Sequence, residues 1–117
     1  MQLQLKAPKL WVAPEAVDFR KSLDGLSAIV LSEFKGTLTD AIYIFYNRAK
    51  NKLKLLARHH NGDVLIYKRL DKKQFTLKQA ASGLYEITEQ QLSWLLAGLD
   101  GELMSTWKED VSYEDYH

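Results

Sequence analysis

The sequence predicts a small α+β domain, with two main helices packed on an antiparallel sheet of four to six strands. Three observations predict it: helical spacing of apolar residues near residue 23, a strand-rich middle third, and a second helical pattern near residue 92. Of the 117 residues, 46% are hydrophobic and 26% charged, as in ordinary globular domains. We expect one domain over residues 1–101 and an acidic, flexible tail over residues 102–117.

The first strand and helix are predicted before residue 37. Residues 10–13 are an apolar run stopped by Pro14, which favours a strand at the edge of a sheet. The next apolar residues recur at steps of three and four, as on one face of a helix: Leu23, Leu26, Val30 and Phe34. Asp18 and Ser22 are both suitable N-caps, and Gly36 is a suitable end.

The middle of the chain predicts three consecutive strands. Residues 41–46 are β-branched and aromatic, which is typical of a central strand. Residues 52–58 alternate apolar and basic side chains, which indicates one buried face and one solvated face. Asn61 and Gly62 tolerate positive φ and favour a tight hairpin, so residues 64–69 return as the third strand.

The last predicted elements are two short strands and a helix. Residues 75–77 and 84–87 are the strand candidates. Thr88 and Gln91 form a capping box at the start of the helix. The apolar stripe of this helix is Leu92, Leu95, Leu96 and Leu99. Its end is predicted at one of two glycines: Gly98 or Gly101.

Composition excludes several classes of protein and site. The chain has no cysteine, so it has no disulfides, no cysteine-ligated metal centre and no thiol nucleophile. Its apolar runs are far shorter than the ~20 residues of a membrane-spanning helix. The amino terminus lacks the apolar core of a signal peptide, so we expect a cytoplasmic protein.

Charge is distributed unevenly along the chain. The formal net charge is only +1, but residues 47–78 hold ten basic residues and two acidic ones, whereas residues 79–117 hold one basic residue and eight acidic ones. A block this basic carries a local positive potential that attracts polyanions. The acidic tail could also fold over the basic block and compete with phosphate, in which case truncation after Gly101 would tighten DNA binding.

The basic strands predict a nucleic-acid-binding surface. Cations interleaved with an aromatic ring suit phosphate contact combined with stacking on a base or sugar. The candidate residues are Arg48, Lys50, Lys52, Lys54, Arg58, Tyr67, Lys68 and Arg69. The alternative is a solvated face whose charges only prevent edge strands from aggregating.

Several separated stretches together resemble a known family. They are residues 18–26, 44–48, 52–56, 67–70 and 92–100, with Gly62 and Phe75 between them. In this order they resemble the TnpB-type accessory protein encoded by the second open reading frame of the IS sixty-six family of insertion sequences, which is distinct from the RNA-guided nuclease of the same label. The family often has an aromatic and an acidic residue where this chain has residues 57–60. The resemblance covers about residues 8–101 and implies a factor that acts beside a separate, larger transposase.

Arg20 and Lys21 form a second candidate contact, for a phosphate or a partner's carboxylate. The local alternative is that Asp18 caps the helix and Arg20 pairs with Asp18 or Asp24.

We expect neither catalysis nor a cofactor. The carboxylates are scattered over helix starts, turns and loops, and the chain shows none of the common catalytic motifs. His59 and His60 are adjacent and point to opposite sides of a strand, which disfavours a shared metal ion. The leading hypothesis is a transposition accessory protein that contacts DNA backbone. The alternative is an adaptor that binds the transposase, or a second copy of itself, without touching DNA.

Overall fold

The computed structural model describes residues 9–36, 41–71, 74–77 and 83–97. These residues form five strands and two helices: β1 (Lys9–Val12), α1 (Leu23–Ser32), β2 (Ala41–Tyr46), β3 (Lys52–His59), β4 (Gly62–Arg69), β5 (Tyr85–Ile87) and α2 (Glu89–Ala97). The predicted α+β class, with two helices and a sheet of four to six strands, is confirmed. In this part of the chain, neither helix is long and apolar enough to cross a membrane. The predicted boundary at residue 101 and the tail lie outside the described residues.

The strands form one mixed sheet in the order β4-β3-β2-β1-β5. β1 pairs with β2 in parallel, through the crossover that contains α1, and the other three pairings are antiparallel. The prediction that residues 10–13 form an edge strand is wrong, because β1 lies between β2 and β5. Pro14 lies two residues beyond the end of β1, so its missing N–H removes no hydrogen bond from the ladder.

The sheet is covered on both faces, which makes three layers. Every residue of β2 is buried. Tyr43 and Phe45 pack with Leu26 and Val30 of α1 on one face. On the other face, Ile42, Ile44 and Tyr46 pack with Leu53 and Leu55 of β3 and Leu95 of α2. Because both faces of β2 are packed, its sequence is a continuous apolar run without alternation.

Phe75 and Leu77 belong to the core, but residues 74–77 form no strand, so the strand predicted over residues 75–77 is wrong. Phe75 is 2% exposed and Leu77 is 6% exposed, both on the face that packs with α2. The Phe75 N–H donates to the Lys50 carbonyl oxygen in the turn before β3. The apolar spacing of these residues therefore reflects burial of an irregular segment.

The predicted hairpin is confirmed, but its tip lies one residue earlier than expected. His59 pairs with Gly62, so the two loop residues are His60 and Asn61. His60 takes the positive φ, 54°. Gly62 is already the first residue of β4.

Both helices begin next to a predicted N-cap residue, but only α2 has the predicted side-chain cap. The Thr88 N–H donates to Oε1 of Gln91 (2.7 Å), and the Gln91 N–H donates to Oγ1 of Thr88 (3.1 Å), which confirms the capping box of α2. α1 follows Ser22, whose side chain makes no capping hydrogen bond. The glycines predicted to end α2, together with Leu99, lie outside the described residues.

Candidate nucleic-acid interface

The register of the β3–β4 hairpin places four of the predicted basic residues on one face: Lys52, Lys54, Arg58 and Arg69. Lys52 is opposite Arg69, Lys54 is opposite Tyr67, and Arg58 is opposite Asp63. Directly opposed residues of an antiparallel pair share a face of the sheet. We call this face, which carries Lys52, Lys54, Arg58, Asp63, Tyr67 and Arg69, the cationic face. It is the face on which α1 packs, since Leu56 of β3 belongs to the α1 cluster.

Lys54 is buried at the centre of the cationic face. It is 7% exposed, and its Nζ donates to the carbonyl oxygens of Phe19 (3.0 Å) and Lys21 (2.8 Å). The same Nζ lies 4.7 Å from the ring centroid of Phe19 and 5.7 Å from that of Tyr67. The expectation of a solvated face is therefore wrong here, because the segment before α1 covers the sheet. With its ammonium held by two carbonyls, Lys54 anchors that segment.

The anchored segment carries its own ordered ion pair. Oδ1 of Asp18 accepts the backbone N–H of Arg20 (2.9 Å), and Nη2 of Arg20 lies 2.6 Å from Oδ2. The hydrogen bonds from the Arg20 guanidinium, followed by that from its backbone N–H, lower the pKa of Asp18 to about 2. The same contact raises the pKa of Arg20. The local pairing of Asp18 with Arg20 is thus present, and the Arg20 side chain is still 91% exposed.

Aromatic contacts join this segment to the hairpin. The Phe19 and Tyr67 rings meet edge to face, with centroids 6.1 Å apart and planes at 78°. Tyr67 is 51% exposed, one of the two large apolar or aromatic side chains that stand out from the described surface. Its ring is accessible for stacking while its position is held by its neighbours.

A surface cleft of about 530 Å³ extends the same region toward the turn after β2. Asp18 and Phe19 line one side, and Asn47 and Arg48 line the other. Asn47 orders this turn, because its Oδ1 accepts the backbone N–H groups of residues 51 and 52. Arg48 is therefore presented next to the segment that Lys54 anchors.

Two candidate sets that are separate in sequence are thus adjacent in the fold. We call the combined region the basic surface: Arg20, Lys21, Arg48, Lys52, Tyr67 and Arg69, arranged around the buried Lys54. Four of its cations have no ion pair with a described carboxylate: Lys21, Arg48, Lys52 and Arg69.

The remaining candidates lie elsewhere or have other partners. Lys68 is opposite Leu53, on the face toward α2, and its Nζ donates to the Leu96 carbonyl near the end of that helix (2.7 Å). Nη1 of Arg58 lies 3.0 Å from Oδ1 of Asp63. Lys50 is half-buried in a turn with φ 60°. Grouping Lys68 with the others is therefore incorrect, since alternation sends it to the opposite face.

Sequence reasoning missed Phe19 and the burial of Lys54. A signal was available, since Val17 and Phe19 are apolar residues two apart within a polar stretch, and both pack against the α1 cluster.

Residues able to hold a metal do not cluster within the described ranges, where no three His, Asp or Glu side chains are close enough to bind one ion. The His59 and His60 rings contact each other, with centroids 4.2 Å apart.

Comparison with known proteins identifies relatives along most of the chain. A family model described as "IS66 Orf2 like protein" matches residues 8–106. The chain is 30% identical over 102 residues to "Uncharacterized protein y4hO" of Sinorhizobium fredii, covering 86% of this chain and 89% of that protein. It is 29% identical over 96 residues to "Uncharacterized protein y4jC" of the same organism, covering 79% and 80%. No solved structure matches.

Proposed function

The chain belongs to the IS66 Orf2-like family of insertion-sequence accessory proteins, and from this we propose a non-catalytic role in transposition. In this role the protein contacts the DNA backbone through the basic surface. It acts within a complex that contains the transposase of the same element, in the cytoplasm where the bacterial chromosome lies.

The observation that carries the proposal is the convergence on one surface of cations from three segments, all of them exposed except the half-buried Lys52. Lys21 comes from the anchored segment before α1, Arg48 from the turn after β2, and Lys52 and Arg69 from opposed positions of the hairpin. These four cations have no ion pair with a described carboxylate, so phosphate binding would break no such pair. Guanidinium and ammonium groups are the usual protein partners of DNA phosphates.

The chemistry of the surface predicts weak sequence selectivity. Phosphate contacts set the position and orientation of a protein on DNA but carry no base information. Tyr67 adds an accessible ring that can stack on any exposed base or sugar. If four phosphates are neutralised, the logarithm of the binding constant should fall with the logarithm of salt concentration with a slope of about −3 to −4. Binding that stays constant between low and moderate salt would contradict the proposal.

The direct test compares adjacent residues on opposite faces of β4. Arg69→Glu, combined with Lys52→Glu, removes two contacts from the basic surface, whereas Lys68→Glu alters charge on the face toward α2. Fluorescence anisotropy with a labelled duplex should show a loss of roughly tenfold in affinity for each contact removed at about 0.1 M salt. For Lys68→Glu we expect a change within about threefold, because its charge is screened from the opposite face. Equal losses from both faces would overturn the assignment of the surface.

A protein–protein adaptor is the second candidate function. The specific observation in its favour is the exposed combination of Arg20 and Tyr67, since arginine and tyrosine are enriched at protein interfaces. In this version the basic surface docks on acidic residues of the transposase. Co-precipitation of the two proteins that survives nuclease treatment, but is lost with Lys52→Glu and Arg69→Glu, would favour the adaptor.

A further inference from the structure

Among the described residues, β4 leaves one long edge of the sheet open. It is the last strand in the order β4-β3-β2-β1-β5 and is eight residues long, whereas β5 at the other edge has three. No described strand pairs with the outer side of β4. An open edge of this length presents unpaired N–H and C=O groups to a further strand.

The direction of each residue's backbone groups follows from the hairpin register. The Leu70 N–H donates to the Asn51 carbonyl on the β3 side (2.9 Å), so the backbone N–H and C=O groups of residue 70 are directed toward β3. Along an antiparallel strand, successive residues direct their backbone N–H and C=O groups to alternate sides. The backbone groups of residues 64, 66 and 68 are therefore also directed toward β3. Residues 63, 65, 67 and 69 therefore direct their N–H and C=O groups to the open edge.

The side chains of β4 are complementary to those of a second β4 strand that runs antiparallel to it. Residues 64–66 are apolar and half-buried, Asp63 lies at one end, and Arg69 lies at the other. An antiparallel pairing centred on Ile66 places Asp63 opposite Arg69 of a second copy and Leu65 opposite Tyr67. Parallel pairing in register would instead oppose Asp63 to Asp63, and like charges directly opposite are destabilising.

We propose that two copies of this chain pair antiparallel through β4, centred on Ile66, to form one continuous ten-stranded sheet. Lys68 does not hinder this pairing, because its ammonium is hydrogen-bonded to the Leu96 carbonyl of its own chain. The pairing goes beyond the proposed DNA contact and does not depend on it. Tyr67 and Arg69 belong to both surfaces, since in the dimer they would face Leu65 and Asp63 of the second copy. It would place the basic surfaces of both copies on the same side of the combined sheet, since opposed residues share a face.

Charge exchange tests the pairing in the absence of DNA. Sedimentation equilibrium of the full chain should show a monomer–dimer equilibrium, weakened at least about tenfold by Asp63→Arg or by Arg69→Asp, because each variant opposes like charges at two symmetric positions. An equimolar mixture of the two variants should regain dimers, since the arginine introduced in one chain then faces the aspartate introduced in the other.

The control for the Asp63 variant is Arg58→Gln. It removes the internal pair with Asp63 but leaves the edge charges unchanged, so dimerisation should stay at the wild-type level. A wild-type chain that remains monomeric at about 100 μM, or dimers indifferent to both charge variants, would overturn the proposal.

Disulfide crosslinking gives a second measurement that tolerates altered stability. The chain has no cysteine, so Ile66→Cys introduces a single thiol at the two-fold centre of the proposed pairing. Mild oxidation should crosslink this variant, because directly opposed positions lie within disulfide reach. Val64→Cys, on the same strand and face, is opposite Lys68 of the other copy and should not crosslink. Equal crosslinking of both variants would contradict the proposed register.

Discussion

The two faces of the β3–β4 hairpin follow the same alternation but are built differently. Toward α2, Leu53, Leu55 and Ala57 are buried in an apolar cluster. On the cationic face, Lys54 is buried to a similar extent, at 7% exposed, among two aromatic rings and two carbonyl oxygens. The difference shows that a basic residue in an alternating strand can be part of the interior when a neighbouring segment supplies acceptors.

The two faces also stabilise the fold by different means. Burial of a leucine is favourable through removal of apolar surface from water and needs no partner. Burial of an ammonium is unfavourable unless it is hydrogen-bonded, and here two carbonyls and two rings offset the cost. The leucines stabilise the core, whereas Lys54 determines where the segment carrying Arg20 and Lys21 lies.

The largest expected effect on stability is on the apolar face. Leu53→Ala removes a fully buried side chain and should lower the free energy of unfolding by about 2–5 kcal/mol. Urea denaturation followed by circular dichroism measures this change. The neighbouring Lys52→Ala, on a half-buried side chain without an ion pair to a described residue, should change it by only about 0.5 kcal/mol.

On the cationic face, Lys54→Met should affect both stability and binding. The methionine fits the space but leaves two carbonyls without their donor, so we expect a loss of about 1–3 kcal/mol in unfolding free energy. DNA affinity should also fall, because the segment bearing Arg20 and Lys21 loses its anchor. Lys52→Met is the matched control, with reduced DNA affinity and almost unchanged stability. A Lys54→Met protein with wild-type stability would show that the two hydrogen bonds are not important.

Removal of most of the acidic tail should affect only DNA binding at the basic surface. Ending the chain after Thr106 keeps the region that the family model matches and deletes four acidic residues and one lysine. If the tail competes with phosphate, DNA affinity should rise severalfold at low salt, and the difference should shrink as salt screens the competition. Equal affinities of the two chains at low salt would exclude such competition.

The smallest expected effect concerns the Asp18 carboxyl. Its pKa is lowered from 3.8 to about 2 by Arg20, so the pair's contribution to stability is present above pH 3.8 and is lost as pH falls through about 2. A carboxyl-carbon NMR titration should give a midpoint near 2 for Asp18. Arg20→Ala should return that midpoint toward 3.8. An unchanged midpoint would mean that the ion pair does not persist in solution.

Local patterns predicted most of the elements. The apolar run of β2, the hairpin after β3 and the Thr88–Gln91 capping box all depend on neighbouring residues, so they could be identified from the chain alone. The parallel pairing of β1 with β2 could not, because it depends on contacts between segments about 30 residues apart. The loop position of His60 was also missed, because Asn and Gly are the usual residues at positive φ in a two-residue hairpin loop, and here a histidine adopts it.

In the candidate site, too, some features follow from local sequence patterns and others depend on contacts between distant segments. The sequence by itself determined which side of β3 and β4 each charged residue faces, because alternation along a strand is a property of the backbone. Only the tertiary structure decided what lies against each side. The segment around Phe19 covers Lys54 and brings Arg20 and Lys21 beside the hairpin. On the other side, the Leu96 carbonyl near the end of α2 accepts a hydrogen bond from Lys68. These contacts depend on the packing of distant segments, which a periodic pattern does not encode.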